Sequence, residues 1–323
     1  MCYIWPGCPR GLPALSGYGS RSVGGNRMGH RIASWLVYLA VRLAVSLAQA
    51  LPPDLAWGLA QGLGWLAYRT DRRHRRVAED NLRHALHVPE HELPGLIRAV
   101  YTHFALVLVE MVHLYRRLHL STWHRYIELE DARRLVQELL QPGPRLLLTA
   151  HFGNWEVASY VLGLLGFRSY AVARPLDNVY LDRFLRRFRE RTGQKLLAKK
   201  GELERLERLL GAGAMVCMLA DQDAGSRGLY VDFFGRPAST HKSPALLSLH
   251  TGARILVLGA WRVRPWRFRV ALVDTIVPQP GDTARSLTER FTRAFEKLIR
   301  RDITQYFWLH RRWKHQPKRR NAA

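Results

Sequence analysis

His151 and Glu156 stand five positions apart in "TAHFGNWEVA", residues 149–158, and they are the residue types from which a catalytic base is built. The preceding "RLLLTA" is an unbroken apolar run of the kind a buried strand uses, and the residues from Trp155 onward read as helix. Gly153 and Asn154 form the turn between them. Asn154 is a good helix N-cap, which places Glu156 in the first turn, where the helix dipole favours a carboxylate. His151 then projects from a strand end, where open α/β sheets gather their ligands. A carboxylate that reaches one imidazole nitrogen fixes the tautomer and leaves the other nitrogen able to take a proton. Such a pair, with no serine of its own, suits deprotonation of a substrate hydroxyl. By spacing alone, a capped helix beside an incidental histidine is the simpler reading.

Two further strand ends carry polar chemistry. Arg174 lies in "AVARPLDN" directly before Pro175, placed to hold a phosphate or polarise a carbonyl. Asp221 and Asp223 flank a glutamine in "CMLADQDAGSRG", at the start of a long polar loop of the kind that often carries function. Asp221 capping a turn is the plainer alternative. The arginines at 186, 187, 189 and 191 read as a solvated basic face. Near the C-terminus, "FWLHRRWKH" interleaves aromatics with His310, Arg311, Arg312 and Lys314, a pattern suited to base stacking or to a membrane interface.

Metal and nucleotide chemistry find little support. His84, His87 and His91 fall along one helix face with no carboxylate placed to complete a shell, and there is no HExxH, so no metal is expected. No GxGxxG follows a strand and no GxxxxGK[ST] occurs, so no cofactor is expected either.

The elements that must position these groups alternate from about residue 131. Strand-like runs at 145–150, 169–173, 214–220, 254–262 and 267–274 are separated by helical patterns at 131–140, 155–166, 178–192, 202–211 and 242–251. A last helix after Asp282 presents Leu287, Phe291, Phe295, Leu298 and Ile299 on one face. This predicts a mixed α/β fold, with a mostly parallel central sheet flanked by helices and an antiparallel pair over 254–274. Three helices are expected between 54 and 118, bounded by Pro52-Pro53 and by Pro89 and Pro94. Residues 32–51 are long enough to cross a bilayer. Arg42 at their centre costs about 2.5–3.5 kcal/mol there, and Ser34, Arg42, Ser46 and Gln49 make one polar stripe. This helix crosses with the stripe against protein, lies in the interface, or packs as an ordinary soluble helix. The organisation expected is an untranslated or disordered extension at 1–27, a membrane helix at 28–52, the main domain at 53–314 and a basic tail at 315–323.

The charge balance is the unusual part of the composition. The 323 residues include 50 Lys plus Arg against 26 Asp plus Glu, a net charge of +24, and most of the excess is arginine. Nucleic acid, an anionic membrane surface and an acidic substrate all suit it. A basic nucleic-acid-binding protein is thus one reading, against which the apolar helix at 32–51 counts. Cys2, Cys8 and Cys217 supply neither a disulfide framework nor a zinc pattern.

Taken in order, the blocks "RRVAEDNL", "HFGNWE", "ARPLDN", "ADQDAG" with "FFGRPAST", and "LHRRWK" resemble the late acyltransferases of lipid A biosynthesis, the lauroyl/myristoyl transferase family. The resemblance runs from about Met28 to Lys314. It implies a glycerolipid-acyltransferase-like fold and an inner-membrane enzyme with its site on the cytoplasmic face. It also implies acyl carrier protein as donor and an anionic glycolipid as acceptor, a hydroxyacyl chain on a Kdo-bearing lipid A precursor. No nucleic-acid partner is then needed. By the same resemblance His151 is the base and Glu156 its orienting carboxylate, while Asn154, Arg174, Asp221, Asp223 and Arg311 are expected at the substrate. Thr304 departs from the pattern, where an acidic residue is expected before Gln305. The "FPEGT" of simpler glycerolipid enzymes is absent. A phosphatidylinositol mannoside is the alternative acceptor.

Overall fold

The computed structural model describes residues 27–114, 116–173, 175–191, 193–198 and 203–317. Four helices come first: α1 (Arg27–Ala50), α2 (Pro53–Thr70), α3 (Arg72–Leu86) and α4 (Leu93–Leu114). Pro52 and Pro53 separate the first two, because proline starts a helix easily and continues one poorly. Asp71 caps α3 by accepting the His74 backbone N–H at 3.1 Å. The apolar helix expected near the N-terminus is therefore present. Residues 1–26 of the expected extension and 318–323 of the expected tail lie outside the described residues, as does Arg174.

The rest is the alternation the sequence predicts. It runs β1 (Ile127–Glu130), α5 (Ala132–Leu140), β2 (Arg145–Thr149), α6 (Trp155–Leu164), β3 (Ser169–Ala173), α7 (Val179–Glu190), β4 (Gln194–Ala198), α8 (Leu203–Gly211), β5 (Met215–Leu219), β6 (Leu229–Phe233), β7 (Arg236–Thr240), α9 (Ser243–Thr251), β8 (Arg254–Arg264), β9 (Arg267–Ile276) and α10 (Ala284–Ile299). The main sheet has the order β1-β9-β8-β2-β5-β3-β4. Every pairing in it is parallel except β8 with β9, so the sheet is mixed and mostly parallel.

Alternation along β2 separates two cores. Leu146 and Leu148 join one with α3, α4, α8, α9 and α10, while Leu147 joins the other with α5 and α6. The α10 stripe expected from sequence, Leu287, Phe291, Phe295, Leu298 and Ile299, is fully buried in the first. Each such side chain contributes about 1.5–3 kcal/mol on leaving water.

Candidate active site

The site forms at the carboxyl ends of β2 and β5, which are adjacent and parallel. Thr149 and Leu219 are register partners, so the residues two positions further on, His151 and Asp221, come side by side. Asp221 holds His151 twice. Its Oδ2 accepts the His151 backbone N–H at 2.9 Å, and its Oδ1 lies 2.8 Å from the ring Nδ1. A carboxylate oxygen can only accept, so Nδ1 carries a proton and Nε2 is the nitrogen free to act as base. Nε2 faces the Gln222 amide at 3.5 Å, too far for a strong hydrogen bond. The imidazole lies edge-on to Trp155 at 5.1 Å and beside Phe307 at 6.0 Å, and its side chain is 19% exposed.

Burial opposes charge on His151, but the Asp221 charge and hydrogen bond outweigh it, with help from Glu156, and raise the imidazole above the usual histidine range. Burial likewise pushes the Asp221 carboxyl up. The His151 charge and the two hydrogen bonds overcome that push and hold it below the usual carboxylate range. The pair is therefore charge-compensated in a site largely closed to water.

Glu156 is placed differently from expectation. Its carboxylate is gripped by the Arg189 guanidinium, with Nε at 3.0 Å from Oε2 and Nη2 in contact with Oε1, and no hydrogen bond joins it to His151. The first turn of α6 carries Glu156 toward α7, while β5 delivers Asp221 straight to the ring. Glu156 reaches the imidazole through space only.

Asn154 is also a builder of the loop. It has no exposed surface; its Oδ1 accepts the Val157 N–H and its Nδ2 donates to Glu110 Oε2 at 3.0 Å. Both ends of the amide are thus engaged within the loop, and the side chain is closed off from the surface. Glu110 in turn holds the Arg262 guanidinium, whose Nη1 donates to His103 Nδ1 at 3.2 Å. His103 Nε2 then donates to the Gly153 carbonyl at 3.2 Å. Burial, reinforced by the Arg262 charge, holds His103 well below the usual histidine range, so it stays neutral, as this relay requires.

Gly153 sits at φ +58°, and a Cβ there would come within 2.0 Å of the Ala260 carbonyl oxygen. Backbone bonds secure both sides of the turn: Gly153 N–H to Gln305, Asn154 N–H to Ala260, and Phe307 N–H to the His151 carbonyl. A cavity of about 340 Å³ with a mixed lining lies behind the turn, bordered by Arg98, Thr102, His103, Leu106, Arg262 and Gln305 among others.

Asp223 is brought near the pair. Its Oδ2 meets His315 Nδ1 at 2.7 Å, its backbone N–H donates to His310 Nε2 at 3.1 Å, and its Oδ1 is buried without a partner. His315, expected in a tail, thus folds back onto the main body. Arg311 is exposed, whereas its neighbour Arg312 enters the core, donating to the Ser239 carbonyl and Thr240 Oγ1. Beside the unexpected Thr304, Asp302 accepts from the Thr304 N–H at 3.0 Å and from the Gln305 amide at 2.6 Å. Among the described residues, no group of three His, Cys, Asp or Glu side chains is arranged to hold a metal ion.

The geometry is that of a His–Asp pair, its carboxylate buried and its imidazole partly exposed, with one ring nitrogen free of a strong hydrogen bond. A family model of bacterial lipid A biosynthesis acyltransferases matches residues 27–315. A lipid A biosynthesis acyltransferase of Haemophilus influenzae is 24% identical over 298 residues, covering 90% of this chain and 93% of the relative. A lipid A biosynthesis lauroyltransferase of Escherichia coli is 25% identical over 290 residues, 88% of this chain and 93% of the relative. A phosphatidylinositol mannoside acyltransferase of Mycobacterium tuberculosis is 29% identical over 173 residues, covering 52% of this chain and 54% of the relative.

Proposed function

This chain belongs to the bacterial lipid A biosynthesis acyltransferase family and is an acyltransferase, and from that premise we propose its reaction. A fatty acyl chain passes from an acyl-carrier-protein thioester to the free hydroxyl of a hydroxyacyl chain on a Kdo-bearing lipid A precursor. His151 is the general base and Asp221 its orienting carboxylate. The observation that carries this is the 2.8 Å contact between Asp221 Oδ1 and His151 Nδ1, which turns Nε2 into the proton acceptor.

The steps balance without a covalent enzyme intermediate. Nε2 takes the hydroxyl proton as the oxygen attacks the thioester carbonyl. The tetrahedral intermediate expels the thiolate, and the proton held on His151 passes to the sulfur. Asp221 stabilises the imidazolium between these transfers through the bond that already fixes its tautomer. The Arg189–Glu156 ion pair stiffens the start of α6 beneath the ring. Arg174, by the resemblance of its block, is the candidate for the oxyanion or a substrate phosphate. The net charge of +24 suits two anionic clients, the acidic carrier protein and the phosphorylated lipid. An inner-membrane enzyme facing the cytoplasm follows from the same reading.

Supplying defined acyl-carrier thioesters with either the lipid A precursor or a phosphatidylinositol mannoside, and weighing the products, tests donor and acceptor together. Acylation of the lipid A precursor alone is expected. Acylation of the mannoside alone overturns the acceptor assignment.

A further inference from the structure

We infer that α1 lies flat in the surface of a bilayer, with both ends on one side of the membrane and α2 beside it at the interface. The inference rests on the glycolipid reading only in taking lipid as the occupant of this face.

The sides of α1 have opposite characters. Ser34, Tyr38, Val41, Val45, Ala48 and Gln49 are partly covered and fall along one stripe. On the other side Ile32, Trp35, Leu36, Leu39, Leu43 and Leu47 are all exposed. The covered stripe is fastened along its length. Asn178 Nδ2 donates to the Ser34 carbonyl at 2.8 Å, and Tyr38 packs against Tyr180 and Phe184 of α7. The Arg42 guanidinium stands 5.2 Å from the Phe184 ring, and Gln49 Nε2 donates to the Val112 carbonyl at 3.2 Å. These fastenings cover roughly 22 Å of helix at 1.5 Å per residue.

The partner decides the topology. α7 carries Asp182, Arg183, Arg186, Arg187, Arg189 and Glu190, a helix that cannot sit in hydrocarbon. A crossing α1 has to abandon these contacts and carry Arg42 into the bilayer centre. Lying flat, it keeps every contact and still gives its leucines to the acyl chains.

α2 adds a second exposed stripe, Leu55, Leu59, Leu63 and Leu66, while its other side, Ala56, Ala60 and Gly64, is buried. Exposed Arg69, Arg72, Arg73 and Arg76 follow at the junction with α3, and this cationic border suits anionic headgroups. Asn178 also caps α7 by accepting the Tyr180 and Leu181 N–H groups, so the bilayer-bound helix is tied to the end of the loop that follows β3.

The test uses the full chain with Cys2, Cys8 and Cys217 replaced by Ser and a single new thiol, R31C or A50C. A membrane-impermeant maleimide is applied to inverted inner-membrane vesicles and to spheroplasts of a bacterial host. Both positions should react in the inverted vesicles and neither in spheroplasts; reaction of either position in spheroplasts overturns the inference. A second pair, L43C and L63C, carries a fluorophore and is mixed with phosphatidylethanolamine–phosphatidylglycerol vesicles containing brominated lipid. Quenching at both positions is expected. Its absence means that the N-terminal segment or a second copy covers the face, and also overturns the inference. Neither readout needs turnover. Loss of this topology leaves the acyl-transfer reading standing, and an active His151→Ala enzyme leaves the topology standing.

Discussion

Asp221 grips His151 at both its backbone N–H and its ring Nδ1, because two adjacent parallel strands end in register two residues upstream of each. The pair is thus a product of sheet register, with the polar group of one strand end oriented by its neighbour. Replacing Asp221 with Asn removes the acceptor that fixes the tautomer and should lower kcat by about 10²–10⁴-fold. Steady-state kinetics on a variant with unchanged unfolding behaviour checks this; wild-type kcat contradicts it.

The same pair sets the pH profile. His151 is held above the usual histidine range, about 6.5, and only its neutral form accepts a proton. kcat/KM should therefore rise with pH through a limb above that value. In Asp221→Asn the raising charge is gone while burial still lowers the imidazole, so the limb should move to lower pH. A limb that stays in place shows that another group titrates.

Glu156 offers a discriminating comparison. Because Arg189 holds it and His151 does not, Glu156→Gln should cost clearly less in kcat than Asp221→Asn. Equal losses from the two variants would return Glu156 to the orienting role.

Behind the turn, Glu110 is fully buried between Arg262 and Asn154. Glu110→Ala leaves a guanidinium uncompensated and should cost about 3–5 kcal/mol of stability, read from urea unfolding. A variant as stable as wild type contradicts the relay from Glu110 to Gly153.

Much of this architecture was legible in the sequence, because buried parallel strands and amphipathic helices leave strong periodic patterns. β2, β3, β5, β8 and β9 announce themselves as apolar runs. The strands not anticipated have physical excuses. β1 and β4 are the two edges of the sheet, short and half-covered, and "IELE" and "QKLLA" lack a continuous apolar run. The β6–β7 hairpin turns at Phe234-Gly235, both at positive φ, and phenylalanine is no turn signal. Phe234 is held there by its N–H bond to Glu296 and by the Arg300 cation over its ring.

At the site, His151 and Asp221 were both visible as polar residues at strand ends, but their pairing depends on strand order and register, which one sequence does not encode locally. The sequence distance between His151 and Glu156 suggested the nearer carboxylate instead. Glu110 did carry a signal: a lone acid inside "LVLVEMVHL" requires a buried partner. Asn154 was expected at the substrate only through the resemblance of its block; in the structure it has no exposed surface and ties the turn to Val157 and Glu110.

The most direct measurement compares wild type with His151→Ala in membranes supplied with an acyl-carrier thioester and the Kdo-bearing lipid A precursor, followed by mass spectrometry of the lipid. Wild type should add the mass of one acyl chain, and His151→Ala should add none while keeping its fold and membrane association. Acylation by His151→Ala at the wild-type rate would contradict the assignment of His151 as the base.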